Sequence, residues 1–108
     1  MNREFTTDEV RDRFLDHIRG LIQYWSTVEL NADHDSIEYR VSGVVHSLLT
    51  TLDGCSLELP GFIVAPCPHQ SDKQFYLDKG ENWYPENHDS KVSADIGGYL
   101  HELLYKQS

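Results

Sequence analysis

The chain has 108 residues, 39% hydrophobic and 11% aromatic, which is enough for one core and too little for two. Its 18 acidic residues against 9 basic ones leave a formal net charge of -9, a balance that repels phosphate backbones and argues against direct nucleic-acid binding. No apolar run is long enough for a bilayer, and Met1-Asn2-Arg3-Glu4-Phe5 lacks a secretory pattern. The expectation is a single small globular domain over 1–108, cytoplasmic and without a membrane partner.

Thr6-Thr7-Asp8-Glu9 opens the first helix, with Thr6 as N-cap and Glu9 three residues on, the spacing of a capping box. Val10, Phe14, Ile18, Leu21, Ile22 and Trp25 then recur at three and four residues and form one stripe. Asn31-Ala32-Asp33-His34 breaks the pattern, and Asp35-Ser36-Ile37-Glu38 repeats the start signal. Ile37, Val41, Val44, Val45, Leu48, Leu49 and Leu52 make a wider second stripe, and Gly54 stands where a C-terminal cap belongs. Two such helices joined by a short polar loop should pack antiparallel. Gly20 and Gly43, near their middles, fit either a close backbone approach or simple tolerance.

The character of the chain changes after Gly54. Leu57-Glu58-Leu59 and Phe62-Ile63-Val64-Ala65 are short apolar runs bounded by proline, consistent with one or two strands or with extended chain. Ser71-Asp72-Lys73-Gln74 begins a short helix carrying Phe75, Tyr76 and Leu77, stopped by Gly80. Glu81 to Lys91 reads as loop. Ser93 caps a last helix with Ile96, Leu100, Leu103 and Leu104 in register, weakened by Gly97-Gly98. The expected fold is therefore α+β and mainly helical: an antiparallel pair of long helices, a short extended segment or small sheet, and a C-terminal helix.

Residue chemistry narrows the functions. Of the six histidines, His17, His34, His46, His69, His88 and His101, none has H-E-x-x-H spacing and no two are four apart on a helix face, so no metal or cofactor is expected. Cys67-Pro68-His69 is too local for proton transfer between thiol and imidazole, and no nucleophile elbow exists; no catalytic residue is assigned. Cys55 and Cys67 are read as free thiols. No phosphate-binding glycine pattern is present. From Glu29 to Leu59 there are six acids (Glu29, Asp33, Asp35, Glu38, Asp53, Glu58) against Arg40 alone, a surface that attracts a basic protein or keeps the domain soluble.

Three proline clusters run from Leu59-Pro60-Gly61-Phe62 through Pro66-Cys67-Pro68-His69 to Glu81-Asn82-Trp83-Tyr84-Pro85 and mark a shaped connector. Its rings either cover the helix pair as a lid, the preferred reading, or form a partner interface, with His69, Phe75, Trp83 and Tyr84 as the candidate interaction residues. Leu52-Asp53-Gly54, Leu59-Pro60-Gly61-Phe62, Pro66-x-Pro68-His69, Glu81-Asn82-Trp83-Tyr84-Pro85 and Leu100-His101-Glu102-Leu103 together resemble a small uncharacterised family found in phages, prophages and bacterial genomes. The resemblance spans roughly Trp25 to Tyr105 and implies a genomic setting without an assigned activity.

The reading that results is a small acidic protein-interaction module, a phage or prophage accessory protein that binds a host protein. One alternative is a DNA-charge mimic built on Glu29, Asp33, Asp35 and Glu38. Another is a small metal-dependent enzyme using His69, His88 or His101. The seven-member stripe of the second helix exceeds what so few elements can hide, which suggests a homodimer.

Overall fold

The computed structural model describes residues 3–85 and 92–106. Four helices form: α1 (Thr7–Thr27), α2 (Ile37–Leu52), α3 (Asp72–Asp78) and α4 (Leu100–Leu103). The chain separates into two compact units, Met1–Phe62 together with Ala94–Ser108, and Ile63–Ser93.

In the first unit, α1 starts with the full capping box: the Thr6 hydroxyl accepts from the Glu9 N–H, and the Glu9 carboxylate accepts from the Thr6 N–H. Ser36 caps α2 in the same way through the Tyr39 N–H. At the other end of α2 the Gly54 N–H bonds the Thr51 carbonyl and the Cys55 N–H bonds the Thr50 carbonyl. This is a Schellman closure, and Gly54 supplies the left-handed residue it needs at φ 90°. Local chemistry thus places three of the four ends of the long helices.

The helices run antiparallel. Trp25 and Val28 near the end of α1 meet Arg40 near the start of α2, while His17 meets Thr51 near its end. The hydrogen bonds across the seam involve polar residues of α2, with Gly43 between them. The Trp25 ring lies on Gly43, and its Nε1 donates to the Ser47 hydroxyl at 2.9 Å. Arg40 donates to the carbonyls of Trp25 and Val28 at 2.7 and 3.0 Å, and Asp35 holds its remaining face. Gly43 is therefore required by a ring; Gly20 has open space around it and marks no close approach.

The core lies at the far end of this pair. Phe14, Leu15 and Leu59 are its buried apolar residues among those described, with Thr51 as the buried polar one. The segment after Gly54 returns to the helices because Gly54 and Gly61 cross at backbone contact and the Phe62 N–H bonds the Leu52 carbonyl. Phe62 then packs edge-on against Phe14, with centroids 5.2 Å apart. Leu15 lies outside the expected stripe and is buried, and α1 also contacts α4. Arg19, one turn on and on the same face, donates to the carbonyls of Leu103, Leu104 and Lys106.

The expected α+β class is not found: among the described residues there is no strand, and the protein is helical. Pro60, Pro66 and Pro68 remove ladder donors, and the runs at 57–59 and 62–65 have no second strand to pair with. Bends at 57–59 and irregular chain over 62–65 result, without a sheet among the described residues. The last helix is also shorter than expected, beginning at Leu100 instead of following Ser93. Positive φ at Ala94 (63°) and Gly98 (114°) makes a helix through 94–98 impossible.

The second unit contains α3, the short helix expected there, followed by Gly80. The Glu81 N–H returns to the Tyr76 carbonyl at 2.9 Å and turns the chain back along the helix. No residue of α3 is buried. Part of the loop expected over 81–91, including His88, lies outside the described residues.

Candidate functional site

The four residues singled out from the sequence all fall in the second unit, in or beside α3. His69 is exposed and locally engaged. Its Nδ1 accepts from the Ser71 N–H at 3.1 Å and lies 2.9 Å from the Ser71 hydroxyl, while its own N–H donates to Asp72. The backbone donor puts the lone pair on Nδ1 and the proton on Nε2. The turn after Gly80 brings Tyr84 to Tyr76, centroids 6.2 Å apart, and Tyr76 also contacts Phe75 edge-on. Lys73 Nζ lies 5.5 Å from the Trp83 ring, and Lys79 Nζ lies 4.2 Å from that of Phe75.

Phe75, Trp83 and Tyr84 are 54%, 47% and 61% exposed. They make an open aromatic platform, with a recess of about 390 Å³ beside Tyr76, Trp83 and Tyr84. Ring faces and two ammonium groups can bind another surface. They offer no converging acid, base or nucleophile.

Among the described residues, His34, His46 and His101 lie apart from one another. His34 Nδ1 lies 2.8 Å from Asn31 Oδ1, and His101 Nε2 lies 3.7 Å from Glu102 on an exposed helix turn. His46 is exposed. Among the described residues no three His, Cys, Asp or Glu side chains gather at metal-binding range. Cys55 and Cys67 are free, exposed thiols. Of the acids needed for a DNA-like row, Asp35 is engaged by Arg40 at 2.9 Å.

One polar cluster escapes sequence reading. His17 Nε2 lies 3.1 Å from the Thr51 hydroxyl, and Glu58 lies 3.6 Å from Nδ1, at an open groove of about 370 Å³. The order hydroxyl, imidazole, carboxylate is that of an acyl-transfer triad. The polarity is wrong. Thr51 is 3% exposed and gives its proton to the Ser47 carbonyl at 2.8 Å, so the imidazole donates to the hydroxyl and cannot act as its base. This cluster ties α1, α2 and the returning segment together.

The more informative surface is on α2. Because the seam takes the side carrying Arg40, Gly43, Ser47 and Thr51, the seven-member stripe divides. Val44, Leu48 and Leu52 are half-buried, whereas Ile37, Val41, Val45 and Leu49 remain 84%, 57%, 49% and 54% exposed. These four recur every four residues, so they form one ridge along the helix. Exposed acids surround it: Asp33 and Asp35 precede its first residue, Glu38 flanks it, and Asp53 caps its end. Sequence periodicity identified the stripe and could not tell which part faces water.

Comparison with family models, with curated proteins and with solved structures finds no match for this chain.

Proposed function

We propose that this chain is an acidic protein-interaction module that docks a partner on the outer ridge of α2. The observation that carries the reading is the division of the α2 stripe. A well-capped helix keeps four large aliphatic side chains in water while it uses glycine, serine and threonine to pack on α1. Leaving such side chains exposed forgoes up to about 1.5–3 kcal/mol each in burial energy. An aliphatic ridge on an ordered element is the kind of patch that marks interaction surfaces. The aromatic platform of the second unit adds an exposed contact surface of the type enriched in Trp and Tyr at interfaces. The resemblance to a phage and prophage family supports a host protein as partner.

A photo-cross-linking amino acid at Val45, with the exposed Gln23 on α1 as control position, tests the docking site. A discrete heterologous adduct from Val45 and none from Gln23, identified by mass spectrometry, supports it. No adduct from Val45, or the same adducts from both positions, rejects it.

A further inference from the structure

From the ridge and its surrounding charges we infer that the partner presents a basic amphipathic helix, with aliphatic side chains at four-residue spacing flanked by Lys or Arg. The inference rests on the docking role proposed for α2 and adds the chemistry of what binds there. Ile37 to Leu49 covers three helical turns, about 18 Å, a length that a second helix of similar size can follow ridge against groove.

The rim decides the sign of the partner. Between Glu29 and Leu59 the chain has six acids and one cation, and that cation, Arg40, is held in the α1–α2 seam by Asp35 and two carbonyls. Glu38, Asp33 and Asp53 are exposed around the ridge. A second copy of the same face would bring acid against acid, with nothing on the rim to neutralise it. The whole chain, at -9, adds to that repulsion. A cationic helix buries its apolar face on the ridge and places its basic flanks beside these carboxylates.

The test uses the full chain and two synthetic helical peptides of about 18 residues, one with a leucine ridge flanked by lysines and one with the same ridge flanked by glutamates. Calorimetry at about 50 mM and about 500 mM salt should show binding of the lysine peptide alone, weakened by salt. Val45→Ser, or Ile37→Ser should the first variant lose helicity, is expected to weaken binding about tenfold. Glu38→Lys should weaken it more than Glu102→Lys, a change of equal charge on α4. Equal loss from both lysine variants means diffuse charge attraction and overturns the inference. So does binding of both peptides or of neither. A dimer that dissociates on Val45→Ser overturns it in favour of a second copy. A Val45 cross-link to another protein, without lysine-peptide binding, leaves the docking role standing and removes only the basic helix.

Discussion

The Trp25 ring lies so close to the backbone of Gly43 that a Cβ at residue 43 would sit 2.6 Å from its carbons. The indole cannot simply slide away, because its Nε1 is bonded to Ser47 one turn along the same helix. Gly43→Ala should therefore destabilise the protein by about 1–2 kcal/mol, the overpacking cost exceeding the helix-propensity gain. Gly20→Ala meets nothing within 4 Å and should stabilise by about 0.5–1 kcal/mol. Urea denaturation of the pair reads both signs. A gain at residue 43 equal to that at residue 20 would show that the ring is free to move.

Arg19 anchors α4. Its guanidinium bonds the carbonyls of Leu103, Leu104 and Lys106 at 2.7 to 2.9 Å, at the end of a four-residue helix where the Leu103 carbonyl also accepts from the Lys106 N–H. Arg19→Ala is expected to cost about 1–3 kcal/mol and to accelerate amide exchange at Leu103 and Leu104. Arg19→Lys should recover little, since a single ammonium cannot reproduce the planar fork. Unaltered exchange in Arg19→Ala would mean that apolar contacts alone hold α4.

The Glu9 carboxyl is lowered to about 2 from an ordinary 4.5, first by the hydrogen bond from Arg3 and then by the Thr6 N–H of the cap. The unfolded chain takes up this proton at the higher pH. The stabilisation from Glu9 is therefore complete above about pH 4.5 and disappears as the pH falls towards 2. An NMR titration of the Glu9 side chain should find this depressed midpoint and its rise in Arg3→Ala. A midpoint at the ordinary value in the unaltered chain would show that the Arg3 pair does not persist in solution.

Ile37 and Leu59 are aliphatic residues of equal bulk in opposite surroundings, 84% and 7% exposed. Ile37→Ser should change stability by no more than about 0.5 kcal/mol, the range of surface substitutions. Leu59→Ala should cost about 2–4 kcal/mol through the cavity it leaves in the core. Thermal melts distinguish the two directly. A large loss at Ile37 would indicate that the ridge is covered in solution.

What could be read in the sequence was local. The Thr6–Glu9 box and the Gly54 closure each depend on residues a few positions apart and form where the pattern places them, while the start signal at Asp35 to Glu38 opens α2 with Ser36 as the capping residue. α3 before Gly80 follows the same logic. The strand expectation failed because apolar alternation at 57–65 describes a side-chain pattern, whereas a sheet needs a partner edge and backbone donors that proline removes. At α4, Ile96 continued the apolar register, but the positive φ of Ala94 and Gly98 prevailed over it.

The candidate site divides along the same line. Sequence alone determined that α2 is an amphipathic helix with seven aliphatic positions, that acids dominate around it, and that aromatics cluster near the prolines. Tertiary structure decided that Trp25 needs glycine and serine opposite it, which rotates Ile37, Val41, Val45 and Leu49 away from α1 and into water. It also brought His17 to Thr51 across 34 positions. Periodicity defines which residues share a face; the shape of the neighbouring helix selects which face is buried, because close packing depends on complementary volumes and not on hydrophobicity alone.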